Sequence, residues 1–195
     1  MSILETFENY RAWFSDVYLI QLAEQEEEEV ADLEWSDALG GLEPLAASEL
    51  ASLEGHGGAL PQAYRELVLA LGVGTLLITD EEEPVEFTLF HPKEMAQARK
   101  DCLGCVHSNA LQRAKSREGI DPAKLVPILT DRDWNQWAML ANRTPGDDAV
   151  VLFSHEQEQR DDLQVFVHRG TVEDYFKRLF EDARALRSPW SLWTR

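Results

Sequence analysis

The sequence predicts an α+β fold: a largely antiparallel twisted sheet of about six strands packed with helices, plus an acidic N-terminal helical extension. Three observations predict it. Apolar residues recur at helical spacing near both ends of the chain. Short apolar segments bounded by turn residues fill the stretch between. The links joining those segments are too short for repeated βαβ crossovers, so a largely antiparallel sheet fits better than a doubly wound one. The 195 residues suit one domain with an appendage, and 44% hydrophobic residues, with six Trp and eight Phe, supply a core. That content of large apolar side chains argues against global disorder.

In chain order, Ser2 and Glu5 have the spacing of a capping box, and Ile3, Phe7, Tyr10, Phe14 and Val17 then recur at steps of four and three. This is an amphipathic helix, expected to run into the acidic segment 24–29. Gly40, Gly41 and Pro44 punctuate the chain and mark the boundary between an extension, 1–43, and the main domain, 44–187; a Trp-containing tail, 188–195, follows. Residues 45–53 read as a short helix stopped at Gly55. Leu60-Pro61 opens another helix, with Tyr64, Leu67, Val68 and Leu71 on one face and Gly72 placed to end it in a left-handed conformation. Strands at 73–79 and 85–90 form a hairpin across the acidic link 80–84.

His91-Pro92 then starts a helix through Met95, Cys102 and Val106, and the polar segment 108–121 reads as loop in part. Further strands are expected at 125–129, 134–140, 150–153 and 163–168, separated by turn residues. Thr171 caps a last helix whose apolar stripe is Val172, Tyr175, Phe176, Leu179, Phe180, Ala183 and Leu186, and Ser188-Pro189 ends it.

Charge is the strongest compositional fact. Against 36 Asp and Glu stand 18 Lys and Arg, a net −18. Residues 1–60 hold 14 acids and one base, Arg11, whereas residues 61–195 hold 22 and 17. Such a field argues against direct binding of nucleic acid or an anionic membrane, both of which attract through clustered Lys and Arg. A cationic protein partner is compatible with it; so is a purely solvated acidic face. No targeting signal is visible at the N-terminus, and the longest apolar run, 67–78, falls short of the ~20 residues that span a bilayer. Two cysteines make no disulfide framework, so a reducing cytoplasm is the expected compartment.

Motifs of catalysis are weak. Cys102-Leu-Gly-Cys105 has CxxC spacing with His107 nearby, but it lies inside a predicted helix, and His56, His91, His155 and His168 show no ligand spacing; simple thiols are the plainer expectation. His91 reads as a turn residue. Ser108 and Ser154 lack a nucleophile elbow, and Gly72-Val-Gly74 is a fragment of a phosphate-binding loop. The pairs Asp131/Asp133, Asp147/Asp148 and Asp161/Asp162 lack EF-hand spacing and are expected to form turns. No catalytic residue, metal or cofactor is therefore expected. Trp190 and Trp193 have the chemistry of interface anchors, and folding back over the domain is the equal alternative.

Leu60-Pro61-Gln-Ala-Tyr64 followed by a helix and the Gly72-Val-Gly74 turn into a strand resembles the signature of the SUKH superfamily, which includes the Smi/Knr-type cell-wall-assembly regulators. Residues 45–53 resemble its preceding short helix; 126–129, 150–153 and 163–167 resemble its later strands, and 171–180 its closing helix. The resemblance spans about 44–187. Two places depart from it: Gly72-Val-Gly74 stands for an Asn-Gly-Gly-like turn, and Asp131-Arg-Asp-Trp134 for an Asp-Gly-Asp-like stretch. The resemblance implies an α+β protein-binding domain without catalytic residues, and its bacterial members are immunity proteins that neutralise toxins, many of them nucleases. A general scaffold or regulatory interaction module is the alternative role. Glu26, Glu27, Glu28, Glu29, Glu81, Glu82, Glu83, Trp190 and Trp193 are the candidate partner-binding residues; the immunity role expects a basic toxin as partner, the scaffold role several partners at modest affinity.

Overall fold

The computed structural model describes residues 2–18, 20, 42–51, 60, 62–79, 85–106, 108–132, 136–144, 147–154, 165–167 and 170–187. Among them the architecture is α+β, with an antiparallel sheet whose seven strands follow one another in chain order: β1 (Leu42–Glu43), β2 (Val73–Ile78), β3 (Val85–Leu89), β4 (Val126–Asp131), β5 (Gln136–Leu140), β6 (Val150–Ser154) and β7 (Val165–Val167). Six of these are the strands expected from the sequence. The two-residue β1 is not, because Leu42 and Glu43 sit among turn formers and carry no alternation; their register opposite Gly74 and Val73 supplies the pairing.

The first helix, α1 (Ile3–Trp13), begins as its sequence predicts. The Ser2 hydroxyl accepts from the Glu5 amide and the Glu5 carboxylate accepts from the Ser2 amide, so two donors of the first turn are satisfied reciprocally. Ile3, Phe7, Tyr10 and Phe14 are all buried. Residues Phe14–Tyr18 then form a π-helical turn, in which Tyr18 is buried and Val17 exposed. The expected stripe thus shifts by one position at its end, because a π turn takes up one more residue than an α turn and rotates the face accordingly.

Helix α2 (Gln62–Leu71) buries Tyr64, Leu67 and Val68. It ends at Gly72, whose φ of +92° places it in the left-handed region, and an added Cβ there would overlap the Glu43 carbonyl oxygen. A side chain at position 72 is therefore excluded twice, by dihedral and by the close passage of the β1 backbone. Two further helices, α3 (Met95–Cys105) and α4 (Ser108–Glu118), lie between β3 and β4. The segment 108–121, expected to be loop in part, is helical as far as Glu118 and lies outside regular structure only at 119–121. The buried residues of α4 are Ala110 and Ala114, four apart, with Leu111 half-buried beside them, so one large apolar residue leaves little periodic signal on a largely polar helix. Gly119, at φ +67°, follows it.

The closing helix α5 (Val172–Arg184) has a second complete capping box, between Thr171 and Asp174, and buries Val172, Tyr175, Phe176, Leu179, Phe180 and Ala183. It packs against α1: Phe180 lies 5.2 Å from Phe7 and stacks on Tyr10 at 5.5 Å, ring centre to ring centre. The sequence left open whether the first segment docks on the rest. For residues 3–18 it does, within the same apolar cluster as the sheet. Every residue of β5 and β6 is buried, so cover lies over both faces of those strands.

Candidate functional site

The candidate partner-binding residues Glu26, Glu27, Glu28, Glu29, Glu81, Glu82, Glu83, Trp190 and Trp193 lie outside the described residues, as do Asp133, Asp161, Asp162, His56, His107, His155 and His168. Thr79, the last described residue before 80–84, is bonded both to the middle of α1 and to the last turn of α5. Its backbone N–H donates to the Tyr10 hydroxyl at 3.1 Å, and its own hydroxyl donates to the Ala183 carbonyl at 2.7 Å. Three pieces of chain are thereby tied together: α1, from which the chain continues toward residues 24–29; the end of β2, from which it continues into 80–84; and the last turn of α5, from which it continues into 188–195. The join is dry. Thr79 and Tyr10 have no exposed surface, and burial pushes the Tyr10 phenol well above its ordinary pKa despite the hydrogen bonds from Thr79 that favour ionisation.

Ion pairs flank this join on β3 and on α5. Glu86 at the start of β3 faces Arg132 just after β4; their backbones are bonded at 2.8 Å from the Arg132 amide to the Glu86 carbonyl, and their side chains lie 3.6 Å apart. Both side chains are substantially exposed, so the pair is worth little to stability and is free to exchange for another ion. On α5 the buried carboxylate of Asp182 lies between Arg187, at 3.2 Å, and Arg178, at 3.6 Å. The Arg187 amide also donates to the Asp182 carbonyl, which turns the chain out of α5 just before the tail.

The remaining candidates fall where turn and core chemistry put them. The His91 Nδ1 accepts the Lys93 amide at 3.1 Å, the turn role expected of it. Asp147 closes the turn before β6. Its Oδ2 accepts from the Arg143 amide and guanidinium, its Oδ1 from the Ala149 amide. Burial alone would raise its pKa, and these donors outweigh burial and hold it below the usual carboxylate range. Its neighbour Asp148 is raised instead, by burial first and then by Asp147, Asp174 and Glu173. Asp131 caps the start of β5 by accepting the Gln136 amide at 3.0 Å. Ser154 is buried at the end of β6, and Ser108 is the first residue of α4.

Cys102 and Cys105 sit on α3 three residues apart, the first buried and the second exposed, both as free thiols. Burial, with a smaller push from Cys105, moves the Cys102 thiol far up, so at neutral pH it is protonated and a poor nucleophile or metal ligand. Among the described residues no group of three or more His, Cys, Asp or Glu is disposed to hold a metal ion, and no helix is long and apolar enough to cross a membrane.

Sequence reasoning missed the part played by Tyr10 and Thr79. Tyr10 reads only as one member of an apolar stripe, and its partner is 69 residues away, so no local spacing signals the bond. Compared with protein-family models, with curated proteins and with solved structures, the chain matches none.

Proposed function

We propose that this chain is a non-enzymatic immunity protein of the SUKH kind that binds and neutralises a cognate bacterial toxin in the cytoplasm, with a basic protein surface as its target and nucleases as the leading toxin class. The observation that carries the reading is the concentration of acid in residues 1–60, 14 acidic side chains against one basic. A field of that sign raises the encounter rate with a basic protein and disfavours polyanions. The order of elements supports it as well: a Leu-Pro-x-x-Tyr helix that ends in a glycine turn into a long strand, then a hairpin, later strands and a closing helix, is the order that carries the resemblance. The thiol pair supports it in a smaller way, since a buried protonated Cys102 beside an exposed Cys105 is poorly suited to nucleophilic chemistry.

The test is co-expression with the toxin domain encoded beside this chain. Restored growth, together with a purified complex of the two, is the expected result; unchanged toxicity with no complex rejects the proposal. Charge reversal of Glu26, Glu27, Glu28 and Glu29 is expected to slow association at low salt and to flatten its salt dependence. Rates unaltered by the reversal would make that run a solvated face only.

A further inference from the structure

The buried face of α3 is the stripe Met95, Ala98 and Cys102, at steps of three and four. Cys105 is the next position of that stripe, three residues beyond Cys102, and there the helix has run out of cover: Cys102 is 1% exposed, and Cys105 stands in solvent. The last turn thus carries two free thiols on one side, one inside the core and one outside it. Val106 then leaves the helix in an extended conformation, at φ −93° and ψ 133°.

Positions three apart on an α-helix have their Cβ atoms about 5–6 Å apart, whereas a disulfide needs about 3.5–4.5 Å. Two features let this turn close the gap. A terminal turn can tighten from α to 3₁₀, which brings positions i and i+3 into eclipse. Between the two thiols lies Gly104, which holds a helical turn less firmly than any residue but proline, and around it the space is open: a Cβ there would meet nothing within 4 Å.

We propose that Cys102 and Cys105 form a thiol–disulfide exchange site, in which exposed Cys105 captures a small disulfide and Cys102 resolves the adduct into an internal disulfide across the last turn of α3. Cys105 acts first because a reagent in solution reaches it and does not reach the buried Cys102. The Cys105 thiolate attacks one sulfur of the small disulfide; a new S–S bond forms, and half of the reagent leaves as a thiolate that takes up the proton Cys105 gave to water. Cys102 then attacks the Cys105 sulfur, the internal bond forms, and the second half leaves as a thiolate that takes up the Cys102 proton. Two protein thiols are oxidised and one small disulfide is reduced to two thiols. Burial keeps Cys102 protonated, which slows the second step, and its fixed place one turn away offsets this because the attack is intramolecular. A reducing compartment keeps both thiols free, and the bond forms when the small disulfide accumulates.

The test is incubation of the reduced, folded full chain with excess oxidised glutathione, followed by acid quenching, intact-mass measurement and peptide mapping, alongside Cys102→Ser and Cys105→Ser. The unaltered chain is expected to become lighter by two hydrogen atoms, with Cys102 joined to Cys105 and the glutathione adduct only transient. Cys102→Ser is expected to accumulate one stable adduct on Cys105, and Cys105→Ser to react about tenfold more slowly than that or less. Because serine at 102 puts a hydroxyl in the core, Cys102→Ala is measured beside it, and the unaltered chain decides the outcome in either case. A lasting adduct on Cys105 of the unaltered chain overturns the proposal, since Cys102 would then not resolve it. So does an unaltered chain in which neither thiol reacts, or one joined to a second copy through Cys105. Equal rates for the two serine variants overturn it as well, because Cys102 would then be reached directly.

Discussion

Strands β2 and β3 and strands β5 and β6 are both antiparallel pairs with five paired positions, yet they are buried differently. In β5 and β6 every residue is buried, whichever face it points to. In β2 and β3 the row Leu76, Ile78, Phe87 and Leu89 is buried, whereas Thr75, Leu77, Glu86 and Thr88, on the other face, are half-exposed. The first pair is covered on both faces. The second is a two-layer margin, closed on one side by the aromatic layer of α1 and α5 and at its edge by the Tyr10 hydroxyl. What the difference teaches is where this fold has spare surface and spare stability. A residue at the centre loses contacts on every side when truncated, while one at the margin has solvent as a neighbour already.

The largest effect that can break this comparison comes from the centre. Trp137 on β5 is 2% exposed and stacks on Phe90 at 5.5 Å. Trp137→Ala is expected to lower unfolding free energy in urea by about 3–5 kcal/mol, whereas Leu77→Ala on the half-exposed face of β2 is expected to lower it by about 1–2 kcal/mol. Equal losses at the two sites would erase the distinction between centre and margin.

A smaller effect sharpens the account of the margin. Tyr64 on α2 is as deeply buried as Tyr10, but its hydroxyl has no hydrogen-bond partner among the described residues, and burial alone pushes its phenol upward. Removing an unsatisfied buried hydroxyl relieves a desolvation cost, so Tyr64→Phe is expected to leave stability unchanged or to raise it by up to about 1 kcal/mol in the same urea measurement. A loss of more than about 1 kcal/mol would show that the Tyr64 hydroxyl is held after all.

How much of this was legible in the sequence follows from the range of the interactions. The Ser2 capping box, the Thr171 cap, the Gly72 terminus, the hairpin across 80–84 and the apolar stripe of α5 were legible because each depends on residues within four or five positions, or on a periodicity that repeats. The strands β5 and β6 were legible as continuous apolar runs, the pattern of a strand covered on both faces. Helix α4 was not, since its buried residues are Ala110 and Ala114 with a single half-buried Leu111, too few large side chains to make a periodic pattern. Nor was β1, whose two residues are held by register alone, or the Thr79 join, whose partners at Tyr10 and Ala183 lie 69 and 104 residues away. Of the candidate site, the turn roles of His91 and Asp147 were legible from residue type and position. The acidic and tryptophan candidates rest on charge and composition, which report the sign of a partner and not the surface that meets it.

The most direct test of the claim that the sheet is held unevenly is native-state amide hydrogen exchange in increasing denaturant. The amides of Ala138 and Met139, in the doubly covered β5, are predicted to exchange only with global unfolding. The Thr79 amide, held by a single phenol from α1, is predicted to open at a lower free energy, together with the amides of α1. Exchange of Thr79 and of β5 at one common free energy, with α1 opening no earlier, would contradict it.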